Sequence, residues 1–262
     1  MSTSCVKCHI FIKSFSNVDL YKIEKENILM VLNRTNYHHY FNISYGFNDL
    51  DLCISMEQLC FQCDGWMDLF DFNNNFSQLY DKISTVRMMV EAFKILHNCN
   101  ISHRDIKPEN IMVRIDREND NAVVDLKVID FGLSDTKCEN GQSRKLGGSL
   151  GFIPLEIWHS VKYAKSYDPF AADVWSLGIT IFTVFYNELI FNHYNDKEQY
   201  LNILCNCSNR YRNAVDVIDR MKLNLYSFEL EQTILRFISV MLYFNPEERS
   251  TLEEIWAKIP VQ

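Results

Sequence analysis

Two carboxylates, an ammonium and a carboxamide stand at spacings that suit one kind of chemistry. The segment His103-Arg104-Asp105-Ile106-Lys107-Pro108-Glu109-Asn110 is followed downstream by Asp130-Phe131-Gly132. Phosphoryl transfer asks little covalent work of a protein. It asks for a hydroxyl held in line with the phosphorus and for cations over the developing charge. A carboxylate such as Asp105 can accept the hydroxyl proton. An ammonium two residues on, Lys107, can meet the phosphate. The oxygens of Asn110 and Asp130 are hard donors of the kind Mg²⁺ prefers. Either tripeptide alone would be weak evidence. The eight-residue string with a later Asp-Phe-Gly, itself preceded by the β-branched Val128-Ile129, is specific.

These strings resemble the catalytic loop and metal-binding motif of the eukaryotic protein kinases. The resemblance runs from about Lys13 to the end of the chain. It implies Asp105 as the group that receives the substrate hydroxyl's proton, Lys107 at the γ-phosphate, and Asn110 and Asp130 as Mg²⁺ ligands. ATP would be the co-substrate, and the Lys at 107 marks the Ser/Thr branch. Further marks follow in the family's order. Gly148-Ser149-Leu150-Gly151-Phe152-Ile153-Pro154-Leu155-Glu156 resembles the close of an activation loop, with Pro-Leu-Glu where the family writes Ala-Pro-Glu. Asp173-Val174-Trp175-Ser176-Leu177-Gly178 resembles the start of the long central helix, and Asn245-Pro246-Glu247-Glu248-Arg249 a late turn. By resemblance Asp173 braces the catalytic loop, Glu156 pairs with Arg249, and Ser149 joins Lys107 beside Asp105. Arg104 would meet a phosphate on the activation loop, for which Thr136 and Ser143 are candidates.

The elements that must position these groups are readable from periodicity. Ile10–Phe15 reads as a strand, and a helix capped by Ser16 or Asn17 runs from Val18 to Leu32 with Leu20, Ile23, Ile28 and Val31 on one side. Leu52–Leu59 reads as a strand, Phe76–His97 as an amphipathic helix, Arg114–Lys127 as a polar hairpin, and the chain is mostly helical from Pro169. Ile10-Phe11-Ile12-Lys13 resembles the family's Val-Ala-Ile-Lys, which makes Lys13 the group for the α- and β-phosphates. Its partner should be a Glu on the next helix. Glu24 shares a face with Leu20, Ile28 and Val31, so it should point inward and is the favoured partner. Strict family spacing lands instead on Lys25, and Glu26 falls on a wetter face. Met56-Glu57-Gln58-Leu59 resembles the family's hinge, so that Met56 would back the adenine and the backbones of Glu57 and Leu59 would meet its edge. Asp68 falls where the family often has an acidic residue near the ribose; a helix cap is an equal reading. The first glycine is Gly46, so no Gly-rich phosphate loop stands ahead of the first helix.

Composition sets limits. The 262 residues suffice for one compact domain or two lobes with a shared core; the resemblance implies an α+β, kinase-like bilobal domain, 1–262, with a reduced β small lobe and hinge at 1–59 and a mainly helical large lobe at 60–262. A net charge of −8 argues against nucleic acid as a partner. The apolar stretch Leu177–Tyr186 is too short to span a bilayer, so no membrane is expected. No leader is evident, and an intracellular protein, in a host cell if the source is a virus of A/T-rich genome, is the expectation. Among nine cysteines, Cys5/Cys8 and Cys60/Cys63 form C-x-x-C pairs. Their separation exceeds that of ordinary Cys₄ zinc sites, which favours buried thiols over a metal clamp. Two functions are carried forward. One is a Ser/Thr kinase acting on protein substrates with ATP and Mg²⁺. The other is a pseudokinase that binds another kinase or a regulatory protein.

Overall fold

The structure is a computed structural model and describes residues 10–36, 38–42, 44–75, 79–118, 122–135, 142–191, 194–220 and 235–259; Cys5, Cys8 and Thr136 lie outside them. The chain divides into two compact units, each assembled from two stretches. One comprises Met1–Ile101 with Pro108–Ser134, the other Ser102–Lys107 with Asp135–Gln262.

The first unit starts with strand β1, Ile10–Ser14, and helix α1, Val18–Arg34. Asn17 caps α1 by accepting from the N–H groups of Asp19 and Leu20, which satisfies two of the helix's orphan donors. Strands β2, Ser44–Asn48, and β3, Cys53–Glu57, complete a three-stranded antiparallel sheet in the order β1-β3-β2, with Lys13 opposite Ile54 and Phe11 opposite Met56. Helix α1 turns Tyr21, Glu24, Ile28, Val31 and Leu32 inward. Leu20 and Ile23, expected on the buried side, are exposed. Tyr21 takes the buried place instead, with its hydroxyl reaching out to donate to the exposed Asp49 Oδ1 at 2.6 Å. Burial together with Asp49 pushes that phenol up to about 12.

A short helix α2, Phe61–Asp64, leads to β4, Trp66–Asp68, and helix α3, Leu69–Asn75. Asp68 Oδ1 accepts from Asp71 N at 2.8 Å, the capping geometry anticipated as its bland alternative. Helix α4 spans Leu79–Asn98 and buries Val86, Met89, Val90, Phe93 and Leu96. Strands β5, Ile111–Asp116, and β6, Ala122–Val128, form the expected hairpin beside β4. Segment 40–41 joins β6 through Val128 N donating to Tyr40 O at 2.7 Å.

The second unit is helical. It contains α5, Leu155–Tyr163; α6, Pro169–Tyr186; α7, Lys197–Ser208; and α8, Val215–Arg220. Helix α6 is opened by Asp168 accepting from Phe170 N and Ala171 N, with Pro169 at the first position where its missing N–H costs nothing. It is long and apolar enough to cross a membrane by length and composition, and 72% of it is buried inside the protein. Trp175 stacks on Phe191 at 6.1 Å and lies under Arg249, whose guanidinium carbon is 5.0 Å from the ring.

Candidate active site

The two units divide the predicted groups between them. In the first, Lys13, Glu24, Met56, Glu57, Leu59, Asn110 and Asp130 all line one cavity of about 390 Å³. Strand alternation explains part of this, because Lys13 and Phe11 share a face of β1. Lys13 Nζ lies 2.5 Å from Glu24 Oε1 and 3.5 Å from Asp130 Oδ1. The partner question is thereby answered on this chain: Glu24 is buried, Lys25 instead meets Asp49 at 2.5 Å, and Glu26 is exposed. Desolvation raises the Glu24 carboxyl above its ordinary value, and Lys13 pulls it back only in part.

Asn110 and Asp130 are brought together by the β5–β6 register. Ile111 pairs with Val128, and Ile129 N donates to Asn110 O at 3.0 Å. Asp130 adopts φ 62, a left-handed conformation that a non-glycine residue holds only when its surroundings demand it. Asn27 Nδ2 fixes the next residue by donating to Phe131 O at 2.8 Å. Glu57 is held by Lys127 at 2.8 Å.

The same cavity holds groups that motif reading missed. Phe11, Met112 and Ile129 give it apolar walls, and Phe11 stands where the family motif has alanine. Its alternation with Lys13 was the signal available. Asn42 Nδ2 reaches Glu57 O at 3.3 Å, while its buried Oδ1 has no hydrogen-bond partner. A flat apolar slot with one unmet acceptor and backbone polar groups at its edge suits a heteroaromatic base. An amide oxygen and a carboxylate, with a lysine beside them, suit Mg²⁺ and phosphate.

In the second unit the catalytic-loop residues are packed around Asp173. This carboxylate is buried and accepts from His103 N at 2.7 Å and Arg104 N at 2.8 Å. It thereby holds Arg104 at φ 69, another left-handed non-glycine residue. Asp105 N donates to His103 Nδ1 at 3.3 Å. Lys107 Nζ sits 3.1 Å from Asp105 Oδ2 and donates to Ser149 Oγ at 2.8 Å. Ser149 Oγ donates in turn to Asp105 Oδ1 at 2.8 Å. The three groups close a triangle in which a hydroxyl already rests on the carboxylate. Gly148 must be glycine here: its φ is 108, and a Cβ would stand 3.0 Å from Arg104 O.

Arg104 is engaged by groups of its own unit. Its Nε donates to Tyr167 Oη at 3.3 Å and its Nη2 to Lys145 O at 2.5 Å. Tyr167 Oη also donates to Lys145 O at 2.8 Å. Ser143 is buried and exchanges both backbone hydrogen bonds with Tyr167, at 2.8 and 2.9 Å. As the structure stands, this candidate hydroxyl is held inside the loop. The Glu156–Arg249 pair forms as expected. Nη2 meets Oε2 at 3.1 Å, Nη1 meets Oε1, and Arg249 also donates to the carbonyls of Tyr243 and Ala171 at 2.8 Å each.

Comparison with known proteins adds relatives to this geometry. A family model described as a protein kinase domain matches residues 14–259. The chain is 29% identical over 243 residues to the probable serine/threonine-protein kinase HSL1 of Saccharomyces cerevisiae, covering 92% of this chain and 14% of that protein. It is 28% identical over 174 residues to serine/threonine-protein kinase 17A of Oryctolagus cuniculus, covering 64% of this chain and 37% of that one. It is 27% identical over 169 residues to serine/threonine-protein kinase ppk34 of Schizosaccharomyces pombe, covering 64% and 41%. The chain thus spans less than half the length of each of these relatives.

Proposed function

Because the chain belongs to the protein kinase domain family, we propose that it transfers the γ-phosphate of Mg-ATP to Ser or Thr hydroxyls of a protein substrate. The observation that carries this reading is the Asp105–Lys107–Ser149 triangle, in which a serine hydroxyl donates to Asp105 at 2.8 Å under a lysine ammonium. An incoming hydroxyl that took the place of Ser149 Oγ would meet the same acceptor. Asp105 would then receive its proton as the oxygen attacks phosphorus, and Lys107 would stand over the phosphate charge. In the cavity, Phe11, Met56, Met112 and Ile129 would enclose the base, the backbones of Glu57 and Leu59 would meet its edge, and Lys13 would meet the α- and β-phosphates. Asn110 and Asp130 would hold Mg²⁺, which when bound neutralises phosphate charge.

The Ser/Thr names of the relatives and the lysine at 107 support the choice of acceptor. The test is transfer of labelled γ-phosphate to a mixed protein substrate, followed by phosphoamino-acid analysis. Phosphoserine and phosphothreonine are expected, and Asp105→Asn should lower the rate by about 10²–10⁴-fold with nucleotide affinity retained. Nucleotide binding with no transfer to any protein would replace this reading with the second one, a pseudokinase that works by binding a kinase or a regulator.

A further inference from the structure

One buried polar atom in the first unit is left over by phosphoryl transfer. Asn42 lines the same cavity as Met56, Glu57 and Leu59. Its place is fixed by its neighbours. Tyr40 O accepts from Val128 N at 2.7 Å, and Tyr40 Oη donates to Glu91 Oε2 at 2.8 Å. Phe41 is fully buried, bridges to Val128 and stands edge-on to Phe131 with ring centres 6.1 Å apart. Two anchored residues thus present the carboxamide of Asn42 at the cavity wall.

Which way that carboxamide faces is settled by the Glu57 carbonyl. This oxygen can only accept, so Asn42 must turn Nδ2 toward it, and it does so at 3.3 Å. The other end, Oδ1, is buried and has no hydrogen-bond partner among the described residues. A buried acceptor without a donor is costly, so a ligand that brings an N–H to it gains more than one that meets a solvated oxygen. The terminal torsion of an asparagine is soft, and the bond to Glu57 O is long. A small rotation therefore lets Oδ1 turn to such a ligand while Nδ2 stays beside the carbonyl.

We propose that Asn42 selects the base of the nucleotide: with the Glu57 carbonyl it reads a 6-amino group, so that the site takes ATP and rejects GTP. This rests on the proposed use of Mg-ATP and narrows it. An exocyclic amine has two N–H groups. One meets Glu57 O, which has a second lone pair to give, and the other meets Asn42 Oδ1. A 6-oxopurine brings an acceptor to the same spot and faces two oxygens. Turning the amide over to offer it Nδ2 would set Oδ1 against the Glu57 carbonyl. A site built around a substrate N–H rejects the analogue lacking it far more strongly than an apolar pocket rejects a change in size.

The test is calorimetry on the whole chain with nucleosides, which need neither Mg²⁺ nor transfer. Adenosine should bind at least about tenfold more tightly than purine riboside, which lacks a 6-substituent, and about a hundredfold more tightly than inosine, which carries an oxygen there. Asn42→Leu, shown to be folded by its melting curve, should narrow the gap between adenosine and inosine to about tenfold, because only the Glu57 carbonyl is left to discriminate. The wild-type series stands whether or not this variant folds. Equal binding of adenosine and inosine by the wild-type chain overturns the proposal and leaves the kinase reading in place. So does an Asn42→Leu chain that weakens both nucleosides alike, since the asparagine would then shape the slot without reading the base. Failure of both nucleosides to bind also overturns it, and transfer from labelled ATP then decides the kinase reading by itself.

Discussion

The molecule contains two acid–base pairs at nearly the same distance, and they are built oppositely. Lys13–Glu24, in the first unit, is a single contact. The lysine keeps 32% of its side chain exposed and is shared with Asp130. Glu156–Arg249, in the second, is two-pronged, with only 1% of the arginine side chain exposed and its other donors spent on backbone carbonyls. A buried pair whose donors are all satisfied holds a fold together. An ammonium with solvent-facing capacity, poised between two carboxylates at the edge of a cavity, has charge left over for a ligand. The contrast separates a buried, fully satisfied ion pair from one with capacity left over, without reference to any motif.

The contrast breaks first at Arg249. Replacing it with Met leaves Glu156 without its guanidinium and removes a donor from the carbonyls of Tyr243, Ala171 and Phe244. A loss of about 3–5 kcal/mol is expected, read as a fall in the denaturation midpoint. Lys13→Met should behave the other way. Stability should stay within about 1 kcal/mol, the range of part-exposed pairs, while phosphate transfer falls by about 10²-fold, in line with loss of one charge-stabilising group. A large drop in melting temperature for Lys13→Met would erase the distinction.

Phe11→Ala tests the roof of the same cavity. Loss of a base-stacking ring should weaken adenosine and ATP alike by about tenfold, within the ~1–3 kcal/mol typical of such stacking, and leave inorganic triphosphate binding unchanged. Tighter ATP binding by the alanine variant would mean that the ring obstructs the slot. The smallest effect belongs to Glu24→Gln. The folded carboxyl titrates above its unfolded value, so its contribution to stability is present below the ordinary glutamate range and is lost as pH rises through the raised value. At neutral pH the glutamine variant should therefore be as stable as wild type or slightly more so, the difference vanishing in acid, although transfer is slower. Thermal melts across pH would show it; an advantage that grew on acidification would refute the burial argument.

What was legible from sequence follows from what each residue's role depends on. Asp105, Lys107, Asn110 and Asp130 were marked by local spacing, and the structure joins Asp105 and Lys107 to Ser149 and sets Asn110 and Asp130 in one cavity. Glu24 was favoured over Lys25 and Glu26 by the face it shares with Ile28 and Val31, but one residue of helix rotation separates the alternatives and only the tertiary partner decides. The same rotation put Tyr21 inside and Leu20 outside, against a periodicity that favoured the leucine. Asn42 carries no motif and enters the cavity through a loop whose path depends on Tyr40 bonding to β6. The contact of Arg104 with Tyr167 was not legible, because the tyrosine is 63 positions away and belongs to no recognised string.

Asp173 also sets an order of events during synthesis. The left-handed turn at Arg104 costs roughly 1–3 kcal/mol on its own and is held by a carboxylate that lies 69 positions later in the chain. A ribosome adding roughly 5–20 residues per second delivers that carboxylate several seconds after the loop has emerged. Until then the segment around Asp105 has no reason to adopt its final bend. The nascent protein should thus pass through an interval in which the cavity-forming strands exist and the Asp105 carboxylate is not yet in position. Under the proposed function such a chain would hold a nucleotide before it could use one, a built-in delay between being made and being able to act.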